Sequence, residues 1–185
     1  MRTLIFVLLA FVLVACGNAD DTPAVTPTTE ATATPETITV WLPSDDAISD
    51  ESIPIGCETH ITPVETEAFV QDTDEATLTT ALETLFSTMP QEPFRNYWEG
   101  ALTVESVSID DAGLAVINIT GDFLLIGTCS DAEISEQMAL TVFQVDAIQS
   151  ARIMVNGDNL VQMLDMSGQS SADAVFTRDG LPTTP

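Results

Sequence analysis

The stretch Ala101–Gly157 constrains the fold more than any other, because it prescribes strand, tight turn, strand, helix and strand in one uninterrupted run. Thr103-Val-Glu-Ser-Val-Ser-Ile109 carries β-branched residues in loose alternation, and Asp110-Asp111-Ala112-Gly113 supplies turn chemistry. Leu114-Ala-Val-Ile-Asn-Ile-Thr120 is more continuously apolar, which suits a strand nearer the middle of a sheet. Ser130 and Glu133 have the spacing of an S-x-x-E capping box, predicting a helix from there to about Gln149. Ile134, Met138, Val142 and Val145 share one stripe of it, widened by Leu140, Phe143 and Ala147. Ala151-Arg-Ile-Met-Val155 is the next strand, and Asn156-Gly157 suits a turn with positive φ from which Leu160–Met166 returns as a partner strand.

Upstream, the first sixteen residues carry an address. Arg2 is a minimal positive n-region, and Leu4–Val14 is an apolar run too short to span a bilayer. Leu13-Val14-Ala15-Cys16 then fits the bacterial lipobox, in which the cysteine thiol receives diacylglycerol before cleavage ahead of it. The alternative is an ordinary secretory signal with an incidental cysteine. The lipobox reading makes 1–15 a signal peptide and Cys16 the lipidated first residue, anchored outside the membrane by more than one acyl chain. Residues 16–36 are rich in Thr-Pro, Ala and acids and offer little to bury, so they read as an extended, mobile tether.

The rest of the chain, about 130 to 150 residues, is the size of one domain with one core. Thr37-Ile-Thr-Val-Trp-Leu42 is the first strand, stopped by Pro43, and Ser44–Gly56 reads as irregular. Thr59–Phe69 is extended, with Pro63 arguing for an edge or a bulge. Asp72 and Glu75 open a helix with Leu78, Leu82, Leu85, Phe86 and Met89 on one face, ended by Pro90. The expected fold class is α+β: a mixed β-sheet of about five strands with two helices packed on one face.

Charge narrows the choice of partners. Four Lys+Arg stand against 29 Asp+Glu, for a formal net charge of -25. The cations are Arg2, Arg95, Arg152 and Arg178, with no lysine. Nucleic acid, anionic lipid and phosphate-rich polymers are disfavoured as direct partners, since binding them requires cationic neutralisation. Solubility and adaptation to salt are competing accounts of such acidity.

Setting Cys16 aside leaves Cys57 and Cys129, an even pair in an exported chain, which predicts a disulfide. Closing so long a loop stabilises by roughly 4 kcal/mol in the entropy model. No metal site or cofactor is expected, because His60 and the two thiols lack clustered ligand spacing and no phosphate loop is present. Asp45, Asp46, Asp50 and Glu51 offer hard oxygen donors without EF-hand spacing and read as a solvated loop. Gly168-Gln-Ser170-Ser171-Ala172 lacks the second glycine of a nucleophile elbow, and the single histidine lies upstream, where that fold does not place it. Phe94, Arg95, Tyr97 and Trp98 crowd one loop, as a candidate partner or sugar-stacking surface or as loop-to-core packing.

The order of elements resembles the GerMN domain, the sporulation and spore-germination module of many bacterial lipoproteins. The resemblance is carried by the Ala81-Leu-Glu-Thr-Leu-Phe86 helix ending before a proline, Val104–Ile109, Gly113–Ile119, Gly121-Asp-Phe123, and Gln137–Gln144 leading into Ala151–Gly157. It covers 37–168, leaving 169–185 as a C-terminal extension. Met89-Pro90 stands where the family commonly has Gly-Pro. The resemblance implies a fold like that of ring-building motifs, no enzymatic activity, and a binding or assembly role in the cell envelope, through another envelope protein or self-association.

Overall fold

The computed structural model describes residues 36–125 and 127–182. Two sheets and three helices are present among them, in an α+β arrangement. The larger sheet is β4 (Leu102–Ile109), β5 (Leu114–Gly121), β6 (Ser150–Val155) and β7 (Asp158–Asn159) in that order, with β8 (Phe176–Thr177) also paired to β6. It is mixed: β4–β5 is an antiparallel hairpin, whereas β5–β6 is parallel and bridged by helix α2 (Thr128–Phe143). A parallel pair requires such a crossover, and an amphipathic helix of this length supplies it.

The turn chemistry is realised atom by atom. Asp110 Oδ1 accepts from Ala112 N and Leu114 N, both at 2.9 Å. Gly113, at φ 79°, lies so close to the α2–β6 connection that a Cβ would stand 2.6 Å from Ala147 O. Asn156 and Gly157, at φ 53° and 89°, form the two-residue turn between β6 and β7.

β4 shows how packing overrides strict alternation. Val104 and Val107 are three residues apart, yet both pack on the core, because the register shifts between Val104 and Ser106. The bulge gives Glu105 an unpaired place on the strand and restores the inward face after it.

The second sheet, β1 (Thr37–Ser44), β3 (Thr59–Phe69) and β2 (Ile53–Ile55), is antiparallel in the order β1-β3-β2. It stands beside the expected mixed sheet of five strands, and Pro43 does not stop β1 but pairs with Ile61 inside it. Part of the acidic Ser44–Gly56 stretch is strand β2. β2 pairs with β3 only as far as Ile61, so Pro63 sits where β3 has a neighbour on one side alone, as a residue without N–H requires.

Helix α1 (Asp74–Ser87) starts at Thr73, whose hydroxyl accepts from Ala76 N at 3.2 Å, rather than at Asp72. Its Leu78, Leu82 and Leu85 are fully buried. Helix α2 lies between the sheets: Ile134, Met138 and Val142 join β5 and β6 residues in the main core, while Leu140 packs with Ile53 and Ile61 of the small sheet. Residues 137 to 143 are accordingly all buried. A helix covered on more than one side loses the simple two-faced pattern.

Two further expectations are corrected. The S-x-x-E box does not cap α2, which begins at Thr128 after Gly127; Ser130 Oγ donates to Gly127 O from within the helix. Leu160–Met166 is not a strand, since after two residues of β7 the chain enters the short helix α3 (Leu160–Leu164), capped by Asn159 Oδ1 on Val161 N. Residues beyond 168 return to the sheet as β8.

Candidate functional site

Helix α2 carries a polar stripe that organises the molecule's irregular parts. Glu133, Gln137 and Gln144, at helical spacings of four and seven, all turn toward one side. Glu133, 3% exposed, accepts from Arg95 Nη2 at 2.9 Å, while Arg95 Nη1 donates to Asp45 Oδ1 at 2.8 Å. Gln137 Oε1 accepts from Tyr97 N, and its Nε2 donates to Asn96 Oδ1. Asn96 in turn donates to Leu85 O and Thr88 O, closing the end of α1. Gln144 grips β1 at both polar groups of Thr39, accepting from its N–H and donating to its C=O, each at 3.1 Å.

These groups tune one another. Burial works against the Arg95 charge, but the hydrogen bonds and charges of Glu133 and Asp45 outweigh it and hold the guanidinium above its ordinary pKa. Burial first, then the Glu133 carboxylate, pushes the Tyr97 phenol up. Glu133 is thus paired with a fixed cation.

Of the expected site residues, Cys16 lies outside the described residues. Cys57 and Cys129 are joined, with Cα atoms 5.7 Å apart and 72 positions between them in sequence. The bridge ties the β2–β3 turn, where Cys57 and Glu58 both have positive φ, to the first turn of α2. Phe94 and Tyr97 are half-buried against the core. Trp98 is fully buried, stacked 4.7 Å from Phe123 and 6.0 Å from Phe86, with Nε1 donating to Ile134 O. The four-residue surface is therefore corrected: Trp98 is a core residue, because its ring fills the gap between α1 and α2, and Arg95 is spent on internal carboxylates. The residues missed from sequence are Glu133, Gln137 and Gln144. Polar residues at core-facing positions of an amphipathic helix were their signal.

Ser170 belongs to a loop in which Asp165 gathers Ser167 N, Gln169 N and Ser170 N. Hydrogen bonds from Ser167 and Ser170 hold that carboxyl well below the usual range. A shallow cleft of about 440 Å³ lies beside it, lined by Asp131, Ser135, Leu164 and Asp165 among others, with no histidine, lysine or cysteine. A smaller cleft of about 210 Å³ is rimmed by Glu36, Asp72, Asp74 and Asp146. His60 stands on β3, opposite Ser44 and Pro54. Among the described residues no group of three His, Cys, Asp or Glu is placed to hold a metal ion, and no helix is long and apolar enough to cross a membrane.

Every described cation is used internally. Arg152 pairs with Asp173 at 3.6 Å. Arg178 donates to Ile148 O and Val145 O and lies 5.5 Å from the Phe143 ring centre. The exposed surface is rich in carboxylates, with Ile48, Phe69, Val70, Met89, Leu124 and Met166 exposed among them.

Comparison with solved structures finds the first GerMN domain of the sporulation protein GerM from Bacillus subtilis, at TM-score 0.53 and 18% identity, over 77% of this chain and 98% of that one. The likeness at that identity is one of fold. The tandem GerMN domains of the same protein match at TM-score 0.46 and 17% identity, over 68% of this chain and 41% of that one. No curated protein matches the chain in sequence. The family model described as sporulation and spore germination, Germane, matches residues 39–161, from β1 into α3. With the small sheet nearly complete, β4 to β7 and the α2 crossover inside that match, the chain belongs to the sporulation and spore germination family, Germane.

Proposed function

We infer that the protein is a lipid-anchored, extracytoplasmic component of the cell envelope whose domain works by binding or assembly and not by catalysis. The observation that carries the reading is the family match across the folded domain, in a chain that opens on a lipobox ending in Cys16. Its polar side chains support it. Glu133, Gln137, Asn96 and Gln144 are consumed in holding loops and strands, and the clefts present carboxylates and hydroxyls without a base–nucleophile pair. The Cys57–Cys129 bridge fits an oxidising compartment. Partner binding then falls to surfaces and strand edges.

Two measurements test this. Cys16→Ser is expected to abolish incorporation of labelled lipid and leave an unprocessed precursor; equal labelling of both forms sinks the anchor. Purification of the native chain from membranes is expected to bring down a stoichiometric protein partner. Robust hydrolase turnover by the purified full chain would overturn the non-enzymatic reading.

A further inference from the structure

We propose that the outer edge of β4 is a docking strand for a lysine-rich extended segment of another protein, which adds to the five-stranded sheet as a further strand. The inference rests on the binding reading above and gives it a place and a partner chemistry.

The sheet edges differ sharply in how they are treated. A strand with unpaired N–H and C=O groups is a template for another chain, and folded proteins usually blunt it. The outer side of β1 is occupied by the Gln144 amide at Thr39 and by Arg95 N on Pro43 O. β2 is three residues long and contains Pro54. β7 and β8 have two residues each. β3 is open on its second side beyond Ile61, but Pro63 interrupts its row of donors there. β4 is long, at eight residues, with β5 as its one paired strand and helix α1 packed against it. No hydrogen bond from any other described element reaches its backbone, and Thr103, Glu105, Ser106 and Ser108 are exposed along it. Its inward side chains, Leu102, Val104, Val107 and Ile109, are held by the core, so the edge is presented ready-made.

Charge chooses the occupant. Glu105 projects from the bulge in the middle of the edge, Asp110 and Asp111 stand at one end, and Glu99 and Asp122 at the other. Arg152 lies two strands away across Val116 and is paired with Asp173. A second copy pairing antiparallel about Glu105 would set like carboxylates across the new ladder, which is destabilising. A lysine-bearing strand meets opposite charge at each of those points while its backbone supplies the missing hydrogen bonds. Glu105 therefore acts as a sign-selective guard, closing the edge to this chain and opening it to a cationic one.

The test uses the detergent-solubilised full chain and three synthetic ten-residue peptides: alternating lysine and valine, alternating glutamate and valine, and the lysine peptide methylated along its backbone nitrogens. Amide exchange over residues 103–109 and binding affinity are read together. The lysine peptide is expected to slow exchange in β4, the glutamate peptide to leave it unchanged, and the methylated peptide to lose binding. Glu105→Lys is expected to weaken the lysine peptide roughly tenfold. Glu105→Gln, with no change of size, is expected to weaken it less and guards against a folding defect. Equal binding by the methylated peptide, or binding with β4 still exchanging freely, overturns the proposal. So does β4 protection that appears without peptide and grows with protein concentration, because that would mark a second copy as the occupant. Recovery of a membrane partner whose binding leaves β4 unprotected overturns the docking strand alone; recovery of no partner strikes the binding reading instead.

Discussion

Arg95 brings together segments far apart in the chain, since its carboxylate partners are 50 and 38 positions away. The two contacts are unequal. Asp45 is 82% exposed, so its share is screened by solvent and small, whereas the Glu133 side chain is 4% exposed and depends on its neighbour. A buried carboxylate without a cation costs several kcal/mol. Arg95→Met is therefore expected to lower unfolding stability by about 2–4 kcal/mol, read as the urea midpoint. Adding Glu133→Leu is expected to restore most of it, because the stranded charge is then gone. Equal midpoints for wild type and the single variant would show the pair idle. The sequence marks Arg95 by its rarity, but 29 acids offer themselves as partners and periodicity does not choose among them. Trp98 escapes a reading of the sequence for a related reason: an aromatic in a loop looks the same whether its ring turns out or in.

Among the elements, α2 determines what the others can do, because its Gln144 amide takes the place of a neighbouring strand at β1. Gln144→Ala would leave the N–H and C=O of Thr39 without partners. The expected cost is about 1–3 kcal/mol, with faster amide exchange at Thr39 and a new, concentration-dependent association through β1. A variant that stays as monodisperse as wild type, with Thr39 exchange unchanged, would show that the edge is guarded otherwise. Local signals were legible here: the β4–β5 hairpin, both long helices and the Asn156-Gly157 turn come directly from turn chemistry and spacing. What was not legible depended on distant contacts. Glu133 serves Arg95 instead of a capping box, and the β1–β3 pair forms its own sheet because its partners come from residues 53–69 and not from the neighbouring hairpin. Leu160–Leu164 turns helical because Asn159 caps it, a choice of a few tenths to about 1 kcal/mol that apolar content does not reveal.

For the whole molecule the dominant long-range force is self-repulsion. A formal charge of -25 on 185 residues opposes compaction, and a bridge closing a 72-residue separation is the main covalent counterweight. Added salt screens the repulsion more than it weakens the three ion pairs among the described residues, two of them on Arg95. The thermal midpoint of the full chain is expected to climb steadily with sodium chloride between about 10 mM and about 1 M. A midpoint that falls with salt would mean that the ion pairs outweigh the field. Lysine is missing from the entire sequence, and this has a practical corollary in protein chemistry. A reagent that couples carboxyls to amines finds many of the first and none of the second among its side chains, so two copies cannot be stitched together side chain to side chain. Whatever such a reagent captures on this domain's side chains must have brought its own amine, and an adduct through a lysine side chain identifies a neighbour of a different kind.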